Sequence, residues 1–262
     1  MINKSTNLPK VTASEIGQNL IIQIYDKPKA KVRPQIQNKL IQNHSMMFFQ
    51  QLIMKEARTA LRRESLNPFH NPINVEIEVT TRQLPSQIQL ERVLKTIFDG
   101  LNRWVISDDN IINNAQIWLS KGTKRYPKTD IQVRVEDSLS KDSIFFNCQL
   151  PCVEKIEAVP YDVGGTMIVS TQAATEQQVT EQALLSEISK TTVTGQHDIC
   201  HMVFCTNDDT KDVDNMFLSY IHLIRNKGLL DGSRNIGIGM YKRHAEQGNE
   251  RTIINLLSKR TA

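Results

Sequence analysis

Residues 89–109 read QLERVLKTIFDGLNRWVISDD, and residues 212–232 read DVDNMFLSYIHLIRNKGLLDG. The two stretches carry one pattern: an acidic point, an apolar helix, then an acidic residue or pair ahead of a strand. In the first, Leu90, Val93, Leu94, Ile97, Phe98 and Leu101 fall on one helical stripe that begins beside Glu91 and ends ahead of the pair Asp108 and Asp109. In the second, Met216, Phe217, Tyr220, Ile221, Leu223 and Ile224 follow Asp212 and Asp214, and Gly228 closes the helix before Asp231. The stretches are 123 residues apart in the numbering. Repetition on this scale means two copies of one structural unit.

The flanks repeat as well. Residues 19–25 are β-rich, a loop with Pro28 and Pro34 follows, and residues 45–64 form an amphipathic helix that is apolar early and basic late. Residues 74–81 alternate as a half-buried strand, and 111–119 and 130–135 are two more, joined by a basic turn. In the second copy, 143–150 is the opening strand, Pro151 stands at the proline loop, and 175–190 is the first helix. Strands at 198–205, 235–240 and 251–257 complete it, the last two joined by a turn with Lys242, Arg243 and His244. Residues 137–142 (DSLSKD) are the seam, giving units 1–137 and 138–262. The expected fold class is α+β, a tandem repeat of two units with two helices each on one face of a mixed sheet. Two such units in one chain suggest an intramolecular pseudo-dimer.

Composition is that of a soluble globular protein: 39% hydrophobic, 23% charged, net charge +4. No apolar run approaches the roughly 18–20 residues of a membrane span. The first residues lack the apolar core of a secretory signal, so the expectation is a cytoplasmic protein without membrane contact. Residues 1–130 hold 19 Lys and Arg against 11 Asp and Glu, while 131–262 hold 13 against 17. The basic half suits a polyanion and the acidic half a cation, or both are ordinary surface variation. Cys148, Cys152, Cys200 and Cys205, with His197 and His201, raise zinc as a possibility. Against it, Cys200 and Cys205 face opposite ways on a strand, and the spacing favours buried free thiols.

Asp212 and Asp214 lie two apart in an extended approach to a helix. Their carboxylates then face one way, as a site for Mg²⁺ or Mn²⁺ requires. The same spacing also serves helix capping in a solvated loop.

The run Asp212-Val213-Asp214-Asn215, the apolar helix after it and Asp231 resemble the core motif of RusA-family Holliday junction endonucleases. That family has D-x-D-N, a lysine four residues on, a helix, then an Asp pair opening a strand. The first copy resembles it too, with Lys95 and the pair Asp108 and Asp109, but Gln89 and Glu91 stand at D-x-D. The second copy keeps D-x-D-N, but Leu218 stands at the lysine and Gly232 at the second Asp of the pair. The resemblance implies sites shared between two units. One composite is then complete: Asp212 and Asp214 with Asp109, and Asp108 beside it. The other, with Gln89, Glu91, Asp231 and Gly232, is not. Lys95 belongs by its copy to the incomplete one.

What the resemblance implies is a Mg²⁺- or Mn²⁺-dependent, structure-specific endonuclease on branched or junction DNA. Asp212, Asp214 and Asp109 would be the metal ligands, with Asp108 and Lys95 beside them in catalysis. Lys121, Lys124, Arg125, Lys128, Lys242, Arg243, Arg62 and Arg63, with Arg58, are candidate phosphate contacts, or solvated surface charges. With one site a chain nicks, unless it pairs with a second chain. The alternative is a catalytically inert module that binds branched DNA.

Overall fold

The computed structural model describes residues 16–24, 44–82, 84–122, 129–148, 197–230 and 235–259, with Gln182, Leu185 and Ser186 as isolated helical positions. The proline loops, most of the helix expected at 175–190, and Lys124, Arg125, Lys128, Asp231 and Gly232 lie outside the described residues.

The elements, in chain order, are β1 (Ile16–Ile24), α1 (His44–Arg63), β2 (Ile73–Thr81), α2 (Leu90–Leu101), β3 (Ile112–Lys121), β4 (Asp130–Asp137), β5 (Ser143–Cys148), β6 (Ile199–Thr206), α3 (Val213–Asn226), β7 (Gly237–His244) and β8 (Arg251–Lys259). The expected turn at Lys242, Arg243 and His244 is instead the end of β7, because Val203 to Thr206 of β6 pair alongside Tyr241 to His244 and carry the ladder that far.

The chain is α+β. Its strands make one mixed sheet in the order β1-β8-β6-β7-β3-β2-β4-β5. Strand β2 runs parallel to β3 and antiparallel to β4. Strand β6 runs parallel to β7 and antiparallel to β8. The two trios join through the antiparallel β3–β7 ladder. Strand β1 pairs with β8 at one edge of the sheet, and β5 pairs with β4 at the other.

Alternation in the sequence decides which face is core. Ile73, Val75, Ile77 and Val79 of β2 are buried, while the residues between them are half-exposed. Cys200, Met202 and Phe204 of β6, Ile238 and Met240 of β7, and Ile254 and Leu256 of β8 join the same cluster. The helices cover this face. All six stripe residues of α2 are 1% exposed or less, each contributing about 1.5–3 kcal/mol by burial. On the opposite face a small cluster of Trp118, Ile199 and Leu257 sits among polar side chains.

Two glycines fix local geometry. Gly228 has φ +68°, and Leu229 N–H donates to the Ile224 carbonyl (3.1 Å) while Gly228 N–H donates to that of Arg225 (2.9 Å). This Schellman pairing stops α3 after one left-handed residue. Gly237 lies under the Trp118 ring, where a β-carbon would come within 2.3 Å of Cε3. No helix among the described residues is long and apolar enough to cross a membrane.

Candidate functional site

Helices α2 and α3 stand side by side over the two central strands. Asp108 and Asp109 follow α2, just ahead of β3. Asp212 and Asp214 come at the start of α3, after the loop from β6. Because β3 and β7 are antiparallel, the start of β3 lies beside the end of β7. Lys242, near that end, is buried, and its ammonium donates to the carbonyls of Asn110 (2.7 Å), Asp209 (3.1 Å) and Lys211 (3.3 Å). It thus ties the two acidic loops together, although they are about a hundred residues apart in sequence.

Carboxylate oxygens of Asp108, Asp109 and Asp212 all lie within 4.8 Å of one another. Asp108 caps a short 3₁₀ turn over Asp109–Ile111 and accepts the Asn110 N–H at 3.0 Å. Asp212 stands at the N-cap of α3, and its Oδ2 accepts from the Asn215 side-chain amide at 2.6 Å. Asp214, 2% exposed, does not join that triad by contact. It is ion-paired to Lys95, whose ammonium also donates to Asn215 Oδ1 at 2.8 Å. Of the expected ligands Asp109, Asp212 and Asp214, the first two stand together with Asp108, and the third is ion-paired to Lys95 beside them.

Lys95, expected by its copy away from Asp212 and Asp214, is ion-paired to Asp214, because α2 and α3 run past each other in opposite directions. Glu91, at the start of α2, meets Arg225 at the end of α3, and Lys95, one turn on, meets Asp214 at the start of α3. The Glu91–Arg225 pair is two-pronged: both guanidinium Nη atoms contact separate oxygens of a carboxylate 1% exposed.

Negative charge is crowded at the triad. Burial first, then the neighbouring charges of Asp212, Asp214 and Asp108, push Asp109 from its usual 3.8 up to about 7. Burial and Asp214 also raise Asp212, with Asn215 and Lys95 pulling the other way. Four carboxylates face one lysine at the centre, with Lys242 beneath. With both lysines counted, an excess of about two negative charges, on hard oxygens spaced a few ångströms apart, fits a divalent cation with oxygen ligands.

The candidate phosphate contacts divide. Lys242 is turned inward, because burial and three carbonyls hold it under the site, and it presents no charge to a ligand. Arg243 donates to Asn114 Oδ1 (2.5 Å) and packs on the Tyr241 ring. Arg63 donates to the Phe145 carbonyl at 2.8 Å. Arg62, in the last turn of α1, and Lys121, at the end of β3, are exposed. The Cys and His residues of 197–205 are not gathered. Cys200 lies in the apolar core, its thiol pushed up by burial. His201 is on the opposite face, edge-on to Trp118 and Tyr241. His197 contacts the Leu229 carbonyl at 2.9 Å.

The roles of two residues, Asn215 and Lys242, were not visible in the sequence. Asn215 bridges Lys95 and Asp212, and its place directly after Asp214 was the available signal. Lys242 carried no signal, since only the tertiary pairing turns it inward. No family model matches this chain, and no curated protein or solved structure matches it either.

Proposed function

We propose that this chain is a divalent-metal-dependent endonuclease acting on branched DNA, built as an intramolecular pseudo-dimer of two RusA-like units with one composite site. The observation that carries this reading is the meeting of Asp108 and Asp109 with Asp212 across the two halves of the chain. The register between the halves supports the pseudo-dimer. A 123-residue offset carries Asn114 to Gly237 and Trp118 to Tyr241. In the β3–β7 ladder Asn114 pairs with Tyr241 and Trp118 with Gly237, while Gln116 pairs with its own counterpart, Gly239. Such cross-pairing is what an approximate two-fold axis through Gln116 and Gly239 requires.

In this reading Asp108, Asp109 and Asp212 hold Mg²⁺ or Mn²⁺. Such an ion would supply Lewis acidity toward a phosphodiester and activate water for its hydrolysis. Asn215 fixes the Asp212 carboxylate through its amide. Lys95 holds Asp214 in place and keeps a positive charge beside the position a phosphate would take. Lys242 sets the distance between the two loops that bear the ligands. The counterpart position is closed internally, since Arg225 neutralises Glu91 where a metal would be needed. One chain then makes one nick per binding event, and two chains are needed for paired cuts.

The test is cleavage of a labelled four-way junction with Mg²⁺ or Mn²⁺. Asp109→Asn and Asp212→Asn should abolish cutting, and Asp231→Asn should change it little. Junction binding without cutting by the unmodified protein would replace this reading with that of an inert binding module.

A further inference from the structure

Trp104 stands in the turn between α2 and Asp108 with about half of its surface, 51%, open to solvent. A side chain that can bury 150–250 Å² is thus left largely wet next to the candidate site. The turn that presents it is held firmly. Phe69 N–H donates to the Val105 carbonyl (2.8 Å), Ser107 N–H to that of Phe69 (3.0 Å), and Val105 N–H to that of Leu101 (2.9 Å). Val105 and Ile106, directly after Trp104, are fully buried, so the indole projects from an anchored segment. Arg103 before it takes φ +68°, a conformation that costs a non-glycine residue about 1 kcal/mol or more. The guanidinium of Arg58, on α1, lies over the indole at 5.0 Å from the ring centroid. Arg62 follows one turn further along the same helix, exposed.

We infer that Trp104 is a stacking platform for an unpaired nucleobase, with Arg58 and Arg62 receiving the adjoining phosphates. This rests on the nuclease reading and narrows its substrate to DNA carrying unstacked bases next to the scissile bond. An aromatic face accepts any base, and flanking arginines supply the backbone contacts that such platforms use. The guanidinium on one side of the indole fixes the ring and leaves the other side for a base, adding a cation–π contribution. Three residues lie between Trp104 and Asp108, so four peptide units join them. Their α-carbons are therefore at most about 14 Å apart, even fully extended. With the reach of both side chains added, and at about 3.4 Å per stacked nucleotide, a base on Trp104 lies within about eight nucleotides of the carboxylate triad.

The chain has two tryptophans, and the other, Trp118, is 7% exposed. Intrinsic fluorescence therefore separates them. Titration with a short oligothymidylate in EDTA should quench the solvent-exposed emission, and an abasic oligonucleotide of the same length should not. Trp104→Ala should weaken oligothymidylate binding about 5- to 100-fold, and Trp104→Phe should retain most of it. Binding without quenching, or full affinity in Trp104→Ala, overturns the platform. Junction cleavage by the same preparations separates the two ideas. Cleavage without stacking leaves the nuclease standing alone, stacking without cleavage leaves the platform alone, and no DNA binding of any kind overturns both.

Discussion

Replacing Asp109 by asparagine should make the metal-free protein more stable while removing its response to metal. Burial and three neighbouring carboxylates hold Asp109 at about 7 instead of 3.8. A folded-state pKa above the unfolded value means that the folded chain binds the proton more tightly. The resulting stabilisation is complete below about pH 4 and is lost as pH rises to about 7, staying lost above it. Taken whole, the displacement corresponds to about 4 kcal/mol. Asp109 keeps contact with water, so screening reduces this to about 1–2 kcal/mol. Asp109→Asn abolishes the penalty. In EDTA at pH 8 it should therefore melt about 2–8 °C higher than the unmodified protein. At pH 5 the gain should shrink to less than half. Magnesium reverses the order at pH 8. At a hundred times its dissociation constant, a cation adds about 2.7 kcal/mol to a protein that binds it, and the variant should gain almost none. The melting curves should then cross between EDTA and saturating Mg²⁺. At pH 5 the proton on Asp109 must leave before the ion enters, so apparent Mg²⁺ affinity should fall about 100-fold from its plateau. A variant no more stable than the unmodified protein in EDTA at pH 8, or one stabilised equally by Mg²⁺, would refute the crowding of charge from which all of this is worked.

Four other perturbations separate the parts of the structure. Lys95→Met should leave Asp214 buried without its cation and lower stability by about 3–5 kcal/mol in EDTA, by denaturant titration, with Mg²⁺ restoring part of the loss. Arg225→Met should cost a similar amount through Glu91, but with no rescue by Mg²⁺, and the double variant Glu91→Gln/Arg225→Met should recover most of it. Burial holds His201 down at about 4, so stability falls by about 3 kcal/mol as pH drops from 6.5 to 4, and His201→Phe should remove that slope from the acid limb of a pH–stability curve. Gly237→Ala should destabilise by about 1–3 kcal/mol through its clash with Trp118, and Trp118→Leu should relieve it in the double variant.

The elements were legible in the sequence where period and punctuation agreed. The alternation of β2, the six-residue stripe of α2 and the glycine after α3 each have one physical reading, and the structure follows them. The expectation that acidic positions from the two halves meet comes from the resemblance to the RusA family, which implies sites shared between two units. The sequence did not show which partner each buried charge would take. Lys95 and Asp214 are 119 residues apart, and so nothing local joins them. Their pairing depends on the opposed directions of α2 and α3, which is a property of the assembled sheet. The same holds for the places of β1 and β5 at the two sheet edges, since a strand's own pattern does not say which edge it will cover.

The two buried ion pairs between α2 and α3 differ in kind. Each helix opens with an acid, Glu91 in α2 and Asp214 in α3, and each acid sits where water is excluded. A buried carboxylate left alone costs several kcal/mol, so each must have a cation. Arg225 grips both oxygens of Glu91, and its planar fork leaves that carboxylate no free charge to share. Lys95 is a point donor. It contacts one oxygen of Asp214 and reaches Asn215, which in turn fixes Asp212, so its single charge leaves the triad beyond it strongly negative. Exchanging the two cations' chemistry should therefore exchange the sites' behaviour. Lys95→Arg, which keeps the charge but brings the fork to Asp214 and Asn215, should compete with Asp212 for Asn215 and weaken Mg²⁺ binding by isothermal titration at least tenfold, with melting temperature in EDTA changed little. Unaltered Mg²⁺ affinity in that variant would mean that lysine's geometry is incidental, and that the asymmetry of the chain resides in Asp108 and Asp109 alone.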